Sequence, residues 1–430
     1  MDPCGSGAMN LRSRVGALCL GIILAGCAAA APTGTATPSV ATPPTEAATA
    51  RATGTPTPTA LTNASTTPRA AMFPTAGFAD ISDNPVSEEA AARFQTILDE
   101  AIRDEAAGAG GITATAMTAS GTWSGAVGTA DGVRDIRPDD QMAVGSITKS
   151  VIAAQVMQML EAGELALDDP ASDYLPADLD FDTNQATIRQ LLGMRSGILD
   201  YVDALWASLS TDRQHNWTPT EVLALVPATR SAAGVRTEYS STNYVLLGLI
   251  IQQVRGRPLA NVLRDGVLSG DGLERLVYQP DELPTEPMAM PGGESTAALE
   301  EGGGYLPSLA GATAGGPAGA MASDSASLAR WWSRLCGGEI VSEASLTEMT
   351  TFQDWYGLGL DGRVDSNVTP AVGHGGIHVG YASWAVCLVE DGSVVVVLTN
   401  RRGPGGGGND GDVDLIVQVA DALAIAARSH

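Results

Sequence analysis

The pattern of the chain predicts an α+β fold, with one antiparallel sheet flanked by terminal helices and a mostly helical region inserted between its strands. Three observations carry this. Alternating segments pair as hairpins near both ends of the folded region, helical periodicity brackets them, and the long interval between them repeats at helical spacing.

Taken in order, Phe94, Ile97, Leu98 and Ile102 fall on one face of a helix for which Ser87 is the N-cap. Residues 112–118 and 123–129 alternate around Ala119-Ser120-Gly121, and 381–389 and 393–399 flank Glu390-Asp391-Gly392, so each pair reads as a hairpin. The interval 146–335 is largely helical with loops. One of these, the Gly- and Pro-rich stretch 265–318 carrying Glu294, Glu300 and Glu301, is expected to border a cleft and to repel anionic substrates. Val413 to Ala427 closes the chain as a further helix. The expected organisation is a leader at 1–26, a modified cysteine and tether at 27–86, and a folded domain at 87–428. Within that domain, 87–143 and 320–428 supply the sheet and 144–319 the helical insert.

Composition narrows the function. With 24 basic and 49 acidic residues the formal charge is −25, which would repel phosphate backbones, and no basic patch with interleaved aromatics appears. Nucleic acid is excluded as a partner. The four histidines (His215, His374, His378, His430) and five cysteines form no CxxC, HExxH or Cys/His cluster, so no metal or cofactor is expected. Of the 24 basic residues 23 are arginine, and Lys149 alone is lysine. Arginine cannot lose its proton in a protein, whereas a buried lysine can have its pKa lowered until it acts as a base. A lone amine in an arginine-using chain is therefore a candidate for chemistry.

Starting from Met9, a short charged segment precedes the apolar run Val15 to Ala25 and then Leu24-Ala25-Gly26-Cys27, the layout of an export signal. The residues before Met9 read as an upstream start. The apolar run is too short to span a bilayer stably. Leu-Ala-Gly-Cys resembles the bacterial lipobox, in which the cysteine becomes the lipidated first residue; the alternative is a secreted protein cleaved near Ala28 to Ala31. Two acyl chains on Cys27 would anchor the protein stably to the outer face of the cytoplasmic membrane. Residues 28–77, dominated by Ala, Thr and Pro, cannot bury enough surface to fold. They read as a tether about 40 Å or more in reach. Cys336 and Cys387 remain in the exported protein, either as a disulfide or as buried thiols.

Lys149 sits in Val-Gly-Ser146-Ile-Thr-Lys149, and Ile152, Val156, Met159 and Leu160 continue at helical spacing until Gly163. The i, i+3 spacing places the hydroxyl and amine on one helix face, where a neutral lysine could take the serine proton and the helix terminus would favour the alkoxide. Ser-x-x-Lys alone is a weak signal. The longer series is specific: Gly163-Glu-Leu-Ala-Leu-Asp-Asp169-Pro170, Asp173-Tyr-Leu-Pro176, Leu191-Leu-Gly-Met-Arg-Ser-Gly197, Glu238-Tyr239-Ser-Ser-Thr-Asn-Tyr-Val-Leu-Leu-Gly248, Gly319-Ala-Met-Ala-Ser-Asp324 and Gly373-His374-Gly375-Gly376. Over roughly residues 88–425 it resembles the serine β-lactamase and DD-peptidase (penicillin-binding protein) superfamily, in its class C-like branch.

That resemblance implies a β-lactamase/transpeptidase-like fold and a set of roles. Ser146 would be the acylated nucleophile, Lys149 its activating amine, and Tyr239 the second base that relays protons to the leaving group and the deacylating water. Lys149 and Tyr239 would titrate as a coupled pair, the ammonium assisting a tyrosine of ordinary pKa. The backbone N–H groups of Ser146 and Ile377 would form the oxyanion hole, with Ser241, His374, Gly375 and Gly376 binding substrate. Where better-known members carry asparagine in the tyrosine element this chain has Ser241. Gly375 and Ile377 replace residues that often present hydroxyls to a substrate carboxylate.

These departures favour an esterase, amidase or D-amino-acid peptidase over a potent β-lactamase, and Ser241 leaves room for a protein that acylates without turning over. A Ser-His-Asp hydrolase using His374 as base is disfavoured, because the chain has no Gly-x-Ser-x-Gly. The expected protein is a monomeric exported lipoprotein that hydrolyses a small-molecule or peptide substrate.

Overall fold

Two hairpins from opposite ends of the chain meet in one sheet. The computed structural model describes residues 72–103, 110–209, 212–291, 303–362, 370–401 and 410–428, all within a unit spanning Thr66–His430. The expected leader, Cys27 and residues 28–71 of the expected tether lie outside the described residues. Residues 72–86, also expected in the tether, pack on the domain: Phe73 and Phe78 are buried in its larger core, because these are the first aromatic side chains after the Ala/Thr/Pro-rich stretch. After α1 (Glu88–Arg103), β1 (Gly111–Thr118) and β2 (Gly121–Gly128) form the first hairpin. β6 (Ala371–His378), β7 (Tyr381–Leu388) and β8 (Ser393–Thr399) form a meander late in the chain. The order β2-β1-β8-β7-β6 is antiparallel throughout, with Ala116 opposite Val395 where the two parts join.

Both faces of this sheet are covered, which is why β1 and β8 are buried along their whole length. On one face, Val395 and Val397 pack with Phe94 and Leu98 of α1 and Leu423 of the C-terminal helix α11 (Asp410–Ala427). The alternate residues Val394, Val396 and Leu398 belong to the larger core on the other face, with Trp331 and Trp332 of α9 (Ser325–Cys336). The period-two alternation read from the sequence is this division between two cores. Ser87 caps α1 as expected, its hydroxyl accepting from the N–H of Ala90 at 3.2 Å.

Between the hairpins lie β3 (Met142–Ala143), α2 (Thr148–Glu161), α3 (Ile188–Leu192), α4 (Val202–Leu209), α5 (Pro219–Ala224), α6 (Thr242–Arg255), α7 (Leu259–Asp265), β4 (Val277–Tyr278), α8 (Leu309–Gly319) and β5 (Met321–Ser323). After α9 comes α10 (Glu343–Met349). α2 is apolar on nearly every side and packs against α6 and α8, as a helix hydrophobic all round must. The stretch 265–318 is not the loop its composition suggested. It contains β4, which joins β3 and β5 in a second sheet, and α8, where Gly316 and Pro317 interrupt a helix. Glu294, Glu300 and Glu301 lie outside the described residues. Among the described residues no helix is long and apolar enough to cross a membrane.

Cys336, at the end of α9, is disulfide-bonded to Cys387 on β7. The bond closes a loop over a separation of 51 residues. Chain-entropy reasoning gives such a loop about 2–4 kcal/mol of stabilisation. Replacing both cysteines by alanine should lower the unfolding free energy by that amount, read as a lower denaturation midpoint, while leaving Ser146 as reactive as before. A midpoint that does not move would show that packing between α9 and β7 carries the stability alone.

Candidate active site

The site forms where three segments converge on the start of α2. β3 runs through Val144 into a single 3-10 turn over Gly145–Ile147, which passes directly into α2. Ser146 therefore stands one turn ahead of Lys149 across that junction. The Nζ of Lys149 lies 3.0 Å from the Oγ of Ser146 and donates to the carbonyl of Ala318 at 2.8 Å. The interruption of α8 at Gly316 and Pro317 comes just before that carbonyl.

Lys149 is 1% exposed. Burial pulls its pKa from 10.5 down to about 7, with the charge of Asp200 acting in the opposite direction. A substantial neutral fraction therefore exists near pH 7. A neutral amine can donate one hydrogen to Ala318 and still offer its lone pair to the serine proton. This is the arrangement that makes a serine nucleophilic.

Tyr239 precedes α6 and stands over the lysine, with Nζ 4.9 Å from its ring centroid. Its hydroxyl is hydrogen-bonded to Ser146. Burial pushes its pKa well above the ordinary value; the bond to Ser146 opposes this and Asp200 adds to it. The phenol is thus neutral at physiological pH. The expected pairing is altered in one respect: the lysine is the group poised to titrate near neutrality, and the tyrosine can relay a proton without becoming a standing phenolate. Trp355 stacks on Tyr239 at 6.3 Å, and Tyr356 meets it edge-on at 6.0 Å.

The turn bearing Tyr239 is pinned by the segment after α3. The N–H of Ser241 donates to Asp200 Oδ2 at 3.0 Å, and Thr242 Oγ1 donates to the carbonyl of Leu199 at 2.8 Å. Ser196 Oγ donates to Asn243 Oδ1 at 2.6 Å. The side chain of Ser241 also favours the ionised form of Asp200.

β6 supplies the third side. A Cβ on Gly376 would lie 2.0 Å from the carbonyl oxygen of Val144, so only glycine lets the strand approach this closely. The same carbonyl accepts from Ser383 Oγ at 2.8 Å. Gly145 has φ +51°, and a Cβ there would lie 2.6 Å from the carbonyl oxygen of Ile377. The backbone at Ser146 is thereby held against that at Ile377, as a two-amide oxyanion hole requires. The side chain of Ile377 is 40% exposed. Gly375 lies against the ring of Trp384.

His374 is buried, with Nε2 2.9 Å from Tyr356 Oη and Nδ1 2.6 Å from the carbonyl of Gly375. A carbonyl can only accept, so Nδ1 carries the hydrogen. Both ring nitrogens have partners other than Ser146, which leaves the serine to the lysine. His374 and His378 lie four apart on a strand, about 13 Å along it. They are therefore not a helical ligand pair. Among the described residues no three His, Cys, Asp or Glu side chains cluster as metal ligands.

Sequence reasoning missed Asp200, Ala318, Trp355 and Tyr356. An acid following Gly197-Ile-Leu and adjacent aromatics in a chain with only 5% Phe, Trp and Tyr were available signals. Ala318 acts through its carbonyl and leaves none. A cavity of about 240 Å³ lined by Arg189, Arg195, Glu348 and Gln353 shares Tyr356 with the aromatic cluster but contains neither Ser146 nor Lys149. Its arginines are committed to Asp168, Glu348 and Asp354.

A family model described as Beta-lactamase matches residues 98–418. Penicillin-binding protein 4 of Amycolatopsis lactamdurans is 31% identical over 152 residues, 34% of this chain and 38% of that protein. Esterase EstB of Burkholderia gladioli is 29% identical over 206 residues, 44% of this chain and 50% of that protein. The chain spans about half or less of the length of the curated relatives it matches. The crystal structure of a D-stereospecific amidohydrolase from Streptomyces sp. superposes with a TM-score of 0.63 at 26% identity, covering 77% of this chain and 98% of that one.

The close approach of Gly145 to Ile377 makes a specific prediction. Gly145→Ala should leave the protein folded but slow covalent modification of Ser146 by about 10²–10³-fold, the usual effect of losing an oxyanion donor. The check is the rate of labelling by a fluorophosphonate, followed by intact mass. Labelling at the wild-type rate would mean that these two backbones do not build the hole.

Proposed function

The chain belongs to the Beta-lactamase family, a superfamily of serine hydrolases, and from that premise we propose that it hydrolyses small esters or amides through an acyl-enzyme on Ser146. The reading is carried by one observation: a wholly buried lysine amine, its pKa lowered to about 7, stands 3.0 Å from the serine hydroxyl. Lys149 takes the proton as the serine attacks the carbonyl, and the N–H groups of Ser146 and Ile377 hold the oxyanion. Tyr239 passes the proton to the leaving group. Water then attacks the ester, with the lysine–tyrosine pair taking its proton.

Esterase and D-alanyl-D-alanine carboxypeptidase-like activities are the leading substrate classes. The esterase and the D-stereospecific amidohydrolase among the similar proteins support this breadth. The residues at the substrate strand support it too, because Gly375 and Ile377 offer no hydroxyl to a substrate carboxylate. A β-lactamase ranks behind these. A penicillin-binding sensor that acylates without turning over is the second reading, favoured by Ser241, which stands where asparagine is usual in the tyrosine element and whose backbone N–H is bound to Asp200.

We place the protein in the class C-like branch, as a monomer exported and anchored to the outer face of the cytoplasmic membrane through lipidated Cys27, with the tether ending before Phe73, which is buried in the core. His374 and Gly376 would hold the strand against which substrate lies. Assaying p-nitrophenyl esters, D-alanyl-D-alanine peptides and a chromogenic cephalosporin side by side tests the reaction. We expect repeated turnover of an ester or D-alanyl peptide that Ser146→Ala abolishes. A stoichiometric burst without turnover selects the sensor, and equal labelling of the Ser146→Ala protein rejects the nucleophile.

A further inference from the structure

We propose that Asp200 is a positioning residue for this site, fixing the turn that carries Tyr239 and thereby setting a carboxylate whose charge acts on the lysine amine. The inference deepens the reading of Ser146 and Lys149 as nucleophile and base, and rests on it.

Geometry gives the first half. One carboxylate oxygen accepts the N–H of Ser241 at 3.0 Å and the other accepts the N–H of Val202 at 3.2 Å. Asp200 therefore ties the start of α4 to the turn that enters α6, two residues from Tyr239. The neighbouring Tyr201 donates its hydroxyl to the carbonyl of Ala314 at 2.8 Å. That bond lies on α8, the helix whose Ala318 carbonyl receives the lysine. One short segment thus reaches both the tyrosine turn and the helix at whose end the lysine's acceptor lies.

Charge gives the second half. Around the amine stand Ser146, the ring of Tyr239, the ring of Tyr244 at 5.8 Å and the carbonyl of Ala318. None of these is a standing negative charge near neutral pH. Asp200 is the ionisable group whose charge opposes the effect of burial on Lys149. Asp361 acts on Tyr239 and Tyr356 instead. Burial raises the pKa of Asp200 itself, while the lysine charge and the bonds from Ser241 and Val202 favour its ionised form. Without the anion, the amine would lose its proton at still lower pH and become a weaker base.

The chain contains a single lysine, so protein labelled with ¹³C at lysine Cε gives one signal that reports protonation without any substrate. In Asp200→Asn the titration midpoint should fall by about one unit relative to wild type, the size expected for losing a nearby opposite charge. Asp200→Glu, which keeps the charge, should hold the midpoint near the wild-type value. Asp200→Ser, a smaller neutral residue that can still accept an N–H, serves as a second neutral variant should the asparagine protein not fold. A midpoint unchanged in a folded neutral variant overturns the proposal, whatever happens to activity. A midpoint that moves while wild-type Ser146 proves unreactive supports the role of Asp200 and rejects the nucleophile assignment instead.

Discussion

The site depends on keeping one amine out of water. Holding a lysine in the fold with a pKa of about 7 in place of 10.5 costs on the order of 4 kcal/mol at neutral pH. That is a large part of an ordinary domain's stability. By linkage, the folded state binds fewer protons than the unfolded chain between these two values, so this penalty is largest below pH 7 and shrinks as pH rises toward 10.5. A cost of this size is borne where the deprotonated amine has a use. The buried, largely apolar setting of α2, the carbonyl of Ala318 at the end of α8 and the aromatic lid of Tyr239 all act on that one group.

The sheet contributes through backbone approach more than through side chains. Gly376 allows β6 to touch the carbonyl of Val144, and Gly145 allows the turn before α2 to touch Ile377. The edge strand of a five-stranded sheet and the N-terminus of a buried helix thus share a seam that side chains would have wedged open. The disulfide between α9 and β7 reinforces the same part of the fold, because β7 pairs with β6 along its whole length.

Much of this was legible in the sequence. Alternation located β1, β2, β7 and β8, and helical spacing located α1, α2 and the C-terminal helix, because those patterns record which side of each element faces a core. The lone lysine one turn after a serine located the chemistry. Other parts escaped. The break at Gly316 and Pro317 lies in a Gly- and Pro-rich stretch that reads as loop, although tertiary packing holds it as helix on either side. Asp200 resembles any surface acid until the fold buries it beside the tyrosine turn. The state of Cys336 and Cys387 depends on the distance between α9 and β7, which no local pattern encodes.

The central claim is that Lys149 accepts the proton of Ser146 because burial leaves it neutral near physiological pH. The most direct measurement is the rate of covalent labelling of Ser146 by a fluorophosphonate across pH 5 to 10, in wild type and in Lys149→Arg. The account predicts a wild-type rate that rises with pH to half its maximum near 7, following loss of the lysine proton, and an arginine variant that is nearly unreactive throughout. A wild-type midpoint near the ordinary lysine value of 10.5, or an arginine variant that labels at close to the wild-type rate, would contradict it.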